Sequence, residues 1–352
     1  MTLTIGNLVG FRRRSVQGDW HVSGKGEDEE FSLNLRIACG NKGDLRVLIA
    51  TGPEYYSEVA ESALKSISET VNPALLNGIL ISAHDFAARM SELEGSDKPM
   101  YPGWPKGSFI ERVAFEILHS LMGQVDYALF LEGPEPGVTS LPHAVLYSTD
   151  EGMTMSCHPE LLKTMGHDLI LEKEGVRGSL LVEVQREFGI PSLVGQLDDV
   201  EITDNNETWL KEKVLNFLAY VGLINVKPLL PEKTYFATLT SEVRSEYDGE
   251  ISFDRSLGEL VTEGERVGTI VNEDMQFQAH IENPKRGYIV SHRQSGPIAA
   301  DDVIYSSLDM KLKSDDETTF ICESVLDNSE MDANFRPNRL FDEGLLDLDN
   351  GS

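Results

Sequence analysis

A chain of 352 residues, 40% hydrophobic and 25% charged, can bury a large core and has room for two domains. Its formal net charge of -29 excludes nucleic acid and anionic membrane surfaces as expected partners, because either would need a basic patch to meet phosphate. Cys39, Cys157 and Cys322 lie far apart and form no CxxC spacing, which excludes a disulfide framework and a zinc knuckle. The opening MTLTIGNLVGFRRRSVQGDW places its basic residues after a short apolar run, so no signal peptide is expected. No stretch approaches the ~20 apolar residues of a membrane helix. The expected location is cytoplasmic.

In chain order, FSLNLRIAC over Phe31–Cys39 alternates as a strand does, and NKGD before Leu45 is a turn. The apolar, β-branched run at 45–50 predicts a buried strand, broken by Thr51–Gly52–Pro53 with Glu54 on the turn. The pattern VAESALKSISETV predicts an amphipathic helix over 57–71. LNGILISA (76–83) predicts a second buried strand, with HDFAARM carrying on from it. Residues 91–108, rich in proline and glycine, predict a long loop. A helix over 109–123 follows, then a strand over 126–131 that ends in Glu132–Gly133–Pro134, again a carboxylate just past a strand. A helix over 176–188 leads through Gly189–Ile190–Pro191 into a strand over 192–197, and a helix over 205–221 follows.

This alternation predicts an α/β domain over 1–230, its mostly parallel or mixed sheet covered by helices on both faces. From 231 to 312 the texture becomes short strand-like runs between glycine turns (DGEISF, GERVGTIV, QFQAHI, RGYIVSH), which predicts a small C-terminal β-domain, a barrel or a sandwich. Residues 313–352 form an acidic tail, either partly disordered or docked through Phe341, Leu345, Leu346 and Leu348. His158–Pro159–Glu160 is an H-x-E with no P-C-x-x-C after it, so a zinc deaminase is unsupported. HExxH, Walker A, GxGxxG and G-x-S-x-G motifs are all missing.

The order of segments over 1–310 resembles the succinylglutamate desuccinylase/aspartoacylase family of zinc amidohydrolases, which combine a carboxypeptidase-like α/β domain with a C-terminal β-domain. DYALFLEGPEPGVTSLPHA is close to the family's stretch after its zinc-ligand strand, and Gly258, Gly264 and Gly268 match turns of its β-domain. The chemical motifs depart. The family's His-Gly-x-Glu turn reads Thr51–Gly52–Pro53–Glu54, and its Asp-Leu-His reads Phe130–Leu131–Glu132. The Asn-Arg pair before Phe-Pro-Gly is lost in SDKPMYPG, where Pro99 stands near the missing pair. The position of the catalytic Glu falls at Gln196.

The resemblance therefore implies metal positions at Glu54 and Glu132, with Thr51 where a His ligand would stand. Zinc favours imidazole; two carboxylates and a hydroxyl favour Mg²⁺, Mn²⁺ or Ca²⁺. Gln196 cannot serve as a general base, because an amide does not titrate. Glu54 can equally be a helix N-terminal carboxylate, worth ~0.3–1 kcal/mol. If Glu54 and Glu132 meet, either a cation lies between them or one pKa is raised. Arg89 and His143 are candidate ligand-pocket residues, with a surface ion pair and a hydrogen-bonded loop histidine as the plainer alternatives. The expected function is a homologue that has lost zinc hydrolysis and works by binding a small acyl-amino-acid-like ligand or by pairing in a homo- or hetero-oligomer. The alternative is an active metal-dependent amidohydrolase with a rebuilt carboxylate-rich site.

Overall fold

The computed structural model describes residues 2–23, 30–52, 54–93, 100–148, 159–167, 169–197, 204–231, 234–272 and 277–309. The acidic tail, Pro99, Cys157, His158 and Cys322 lie outside these residues.

Among the described residues, thirteen strands join one mixed sheet. Its middle is parallel: Leu45–Thr51 lies between Gly78–Ala83 and Tyr127–Glu132, and Ser192–Gln196 pairs with Tyr127–Glu132. These strands are apolar on both sides because both faces of the sheet are covered. Along Tyr127–Glu132 the buried side chains alternate. Ala128 and Phe130 join one core, with Phe86, Val113, Leu118 and Leu180; Leu129 joins the other, with Leu64, Ile67, Leu210 and Val214. Helices thus cover both faces, as the sequence predicts.

Local chemistry sets the helix ends. Ser57 caps the Glu58–Thr70 helix by accepting from the Ala60 N–H at 3.3 Å, and Glu58 and Glu61 stand in the first turn, where negative charge is favourable. Ser108 and Glu111 form a capping box at the start of Phe109–Glu116. That helix is shorter than its periodicity suggests, because the chain widens into a π turn at Ile117–Leu121 and tightens again at Met122–Gln124. The Leu180–Phe188 helix starts later than expected, since Gly178 takes a φ of 86° and turns the chain first. HDFAARM does not continue its strand. Phe86–Leu93 is a helix that buries Phe86, Ala87 and Met90 on one side.

Beyond Ser192–Gln196 the sheet changes direction. His143–Ser148 is antiparallel to it, and Leu169–Glu174 runs parallel to His143–Ser148. Tyr235–Arg244 then adds in parallel to Leu169–Glu174, so the C-terminal region enters the same sheet. A separate four-stranded sheet is built from Phe277–Glu282, Arg266–Asn272, Gly249–Phe253 and Gly296–Ile298. Between it and the long sheet lies a third core, with Ile251, Ile270 and Ile281 on one side and Ile289 and Tyr305 on the other. This is the small β region, built as a sandwich.

Candidate functional site

Strand register brings polar residues into one row. Gln196 pairs with Glu132 on one neighbouring strand and with His143 on the other. Each lies two positions from an apolar residue of one core: Phe130, Val194 and Val145. Side chains repeat every two residues along a strand, so Glu132, Gln196 and His143 share that face. Tyr147 and Lys173 are themselves register partners on the next strand pair. The same alternation puts them on that face too.

Glu132 is 2% exposed. Its side chain lies across Gly52, where a Cβ would stand 1.7 Å from the Glu132 Cγ, so only glycine fits. The Gly52 N–H donates to the Leu131 carbonyl at 2.6 Å, and the Gly133 N–H to the Tyr55 carbonyl at 3.3 Å. These bonds clamp the turn after Leu45–Thr51 against the end of Tyr127–Glu132. The Glu54 N–H consequently donates to Glu132 Oε1 at 3.4 Å, while the Glu54 side chain is exposed. Burial, and then the charge of Glu54, push Glu132 up to about 8; Lys173 and the Glu54 N–H pull the other way.

Lys173 is held below the usual lysine range by burial, opposed by Glu132, Glu54 and Glu242. The Tyr147 hydroxyl is raised by burial and by the nearby Glu132, Glu54 and Tyr55. The Glu132 and Glu54 carboxyls therefore act on both the Lys173 ammonium and the Tyr147 phenol. Sequence reading singled out Glu54 and Glu132 but missed Lys173 and Tyr147. The signal was present in the period-two patterns Leu169–Leu171–Lys173 and His143–Val145–Tyr147, which carry a polar side chain along a buried face.

The other candidates are placed as follows. Thr51 is fully buried, and its Oγ1 accepts from the Ala87 N–H at 2.8 Å, fixing the start of Phe86–Leu93. Gln196 donates to the Gly133 carbonyl. His143 donates from Nδ1 to the Leu141 carbonyl at 2.7 Å, which leaves the lone pair on Nε2 buried and without a partner. Burial, followed by the charge of Lys173, lowers His143 to about 3, so the ring is neutral. Arg89 does not join the row. It meets Asp85 at 3.3 Å and Glu92 at 2.9 Å with its side chain 41% exposed, which is the surface ion pair. A pair so exposed contributes little to stability.

A catalytic zinc ion needs three protein ligands and an open position. The donors at these strand ends do not fit one. The Thr51 hydroxyl already serves a backbone N–H, which leaves two carboxyl groups and no imidazole at the positions the resemblance implies. Among the described residues no three His, Cys, Asp or Glu side chains gather as a metal-holding group.

No protein-family profile matches this sequence, and no curated protein does. Solved structures do match. The ectoine utilization protein EutE (DoeB) from Ruegeria pomeroyi superposes with a TM-score of 0.72 at 17% identity, covering 84% of this chain and 95% of that one. A succinylglutamate desuccinylase/aspartoacylase from Rhodobacter sphaeroides gives 0.70 at 15% identity, covering 84% and 96%. A succinylglutamate desuccinylase from Silicibacter sp. TM1040 gives 0.70 at 18% identity, covering 84% and 95%. The chain has the fold of these structures over nearly their whole length. Among the described residues, no helix is long and apolar enough to cross a membrane.

Proposed function

We propose that this chain, which carries the succinylglutamate desuccinylase/aspartoacylase fold, is a non-hydrolytic homologue of zinc amidohydrolases. It works by binding a small acyl-amino-acid-like ligand at the ends of the parallel strands. The observation that supports this most is the engagement of Thr51. Where the resemblance puts a histidine ligand, a fully buried hydroxyl is bonded to the Ala87 N–H. Gln196, at the position of the general base, cannot titrate and is spent on the Gly133 carbonyl. The losses fall on ligand and base together, and the scaffold is intact. The test is zinc content and turnover of N-succinyl- and N-acetyl-amino acids, measured on the full chain. The expected result is less than a tenth of an equivalent of zinc, as an order of magnitude, and no hydrolysis after zinc is added. One equivalent of zinc, with hydrolysis abolished by Glu54→Ala, would overturn the reading. Pairing with a second subunit is the other mode of action, and sedimentation of the purified chain alone and with ligand separates the two.

One observation favours a second reading, an active amidohydrolase with a rebuilt site. Glu132, pushed up to about 8, has the proton affinity a general acid or base needs near neutral pH. Metal-dependent hydrolysis lost in Glu132→Gln would support it.

A further inference from the structure

We propose that an apolar patch formed by Met100, Trp104 and Val176 is a docking surface, and that its occupant is the segment 341–349 of this same chain, which lies beyond the described residues. The inference is independent of whether the strand ends hydrolyse anything.

Met100, Trp104 and Val176 are 70%, 59% and 71% exposed, the three most exposed large apolar side chains among the described residues. Scattered singly they would need no explanation, but they are grouped. The Tyr101 N–H donates to the Gly178 carbonyl at 2.9 Å, and the Ser179 N–H to the Val176 carbonyl at 3.1 Å, which ties the loop of Met100 to the turn of Val176. The Met100 side chain lies along that turn: a Cβ on Gly178 would stand 3.2 Å from Met100 Cε. A turn at Tyr101–Pro102 folds Met100 back toward Gly103, next to Trp104. Tyr101 is buried in the core beneath, so the loop is anchored while Met100 and Trp104 stay exposed.

Chemistry and position both select the occupant. Beside the patch, Lys106 and Arg177 are exposed, and Arg112 lies over the Phe109 ring. Glu111 and Glu183 are turned back onto the Ser108 and Gly178 N–H groups. A basic rim around apolar surface selects a partner that is apolar and acidic. Segment 341–349 is both: Phe341, Leu345, Leu346 and Leu348 alternate with Asp342, Glu343, Asp347 and Asp349. The chain also leaves the sheet near the patch. Glu172 is the register partner of Thr238, and Thr238 that of Asp309, so Asp309 lies two strands from Glu172, about 10 Å. Val176 follows Glu172 by only a few residues, ~14 Å at full extension. Asp309, the last described residue, is thus within about 24 Å of Val176. A flexible chain as long as residues 310–340 has a root-mean-square span of about 30 Å. A linker matched to its span gives a high effective concentration, so weak contacts suffice.

The test is hydroxyl-radical footprinting of the full chain, read by mass spectrometry at Met100 and Trp104. Tyr247, exposed in the β region, is the control. Wild type is compared with Leu345→Asp/Leu346→Asp, whose changes lie outside the described core. Met100 and Trp104 are expected to oxidise several-fold more slowly in wild type than in the double variant, with Tyr247 the same in both. Lys106→Glu, which reverses a charge of the rim, is expected to speed oxidation of Met100 and Trp104 part of the way. Equal rates at Met100 and Trp104 in wild type and the double variant would overturn the proposal. Dilution of the wild-type protein identifies the source of the segment. Protection that survives dilution supports docking within one chain, and protection that fades assigns the segment to a second copy and refutes it.

Discussion

Replacing Glu132 with glutamine should change how stability depends on pH, and the size of the change can be worked from the structure. A free glutamate titrates at 4.5, and in the folded chain Glu132 is pushed up to about 8, first by burial and then by Glu54. Between those values the folded state keeps a proton that the unfolded state has lost. The folded pKa is raised, so this group favours folding below 4.5, and its contribution is lost as pH rises toward 8. One proton costs about 1.4 kcal/mol of stability per pH unit in that window, hence roughly 2.7 kcal/mol from pH 5 to pH 7. Glutamine carries no such proton. Urea unfolding of both proteins at pH 5, 6 and 7 gives the comparison as a difference, in which the titration of the many other acidic residues cancels. Stability relative to wild type should rise in Glu132→Gln by about 2–3 kcal/mol across the window. A flat difference, within about 0.5 kcal/mol, would mean that Glu132 is ionised at pH 5 and that burial does not govern it.

Two further changes test the packing around the same turn. Gly52→Ala would place a Cβ 1.7 Å from the Glu132 Cγ, so the turn or the glutamate must move. Differential scanning calorimetry should show a loss of about 1–3 kcal/mol, and pairing the change with Glu132→Ala should restore much of it. Thr51→Val keeps the shape but strips the acceptor from the buried Ala87 N–H, a loss of about 1–3 kcal/mol by urea denaturation. Thr51→Ser should stay within about 1 kcal/mol of wild type, since it keeps the hydroxyl. An equal loss in both variants would show that the methyl group, not the hydrogen bond, holds the helix start.

Much of the fold could be read before any coordinates, and particular residues show why. Val47–Leu48–Ile49–Ala50 is apolar on both sides, which suits only a strand covered on both faces. The caps at Ser57 and Ser108 were not singled out in the sequence, and the structure supplies them. Phe86–Leu93 was not legible as a helix, because part of what fixes its start is the Thr51 hydroxyl, thirty-six residues earlier in the chain. The site divides the same way. Glu54 and Glu132 were visible because each follows an apolar run at a turn. Lys173 was not: a lysine in LILEKE reads as the solvated end of a strand until Tyr147 and Glu132 are known to share its face. Arg89 was the opposite case, a residue placed near the pocket by resemblance that two nearby carboxylates hold at the surface.

The parallel pairing of Leu169–Glu174 with Tyr235–Arg244 bears on how this chain can be cut. Ending it before Tyr235 would strip one side of the Leu169–Glu174 strand of its hydrogen-bond partners. A bare edge invites pairing with other chains. The residues directly affected would be those from Leu169 to Glu172, whose register partners run from Tyr235 to Thr238. Fragments stopping near 231 should therefore aggregate, and the N-terminal α/β region depends on the β region that follows it for the closed flank of its sheet.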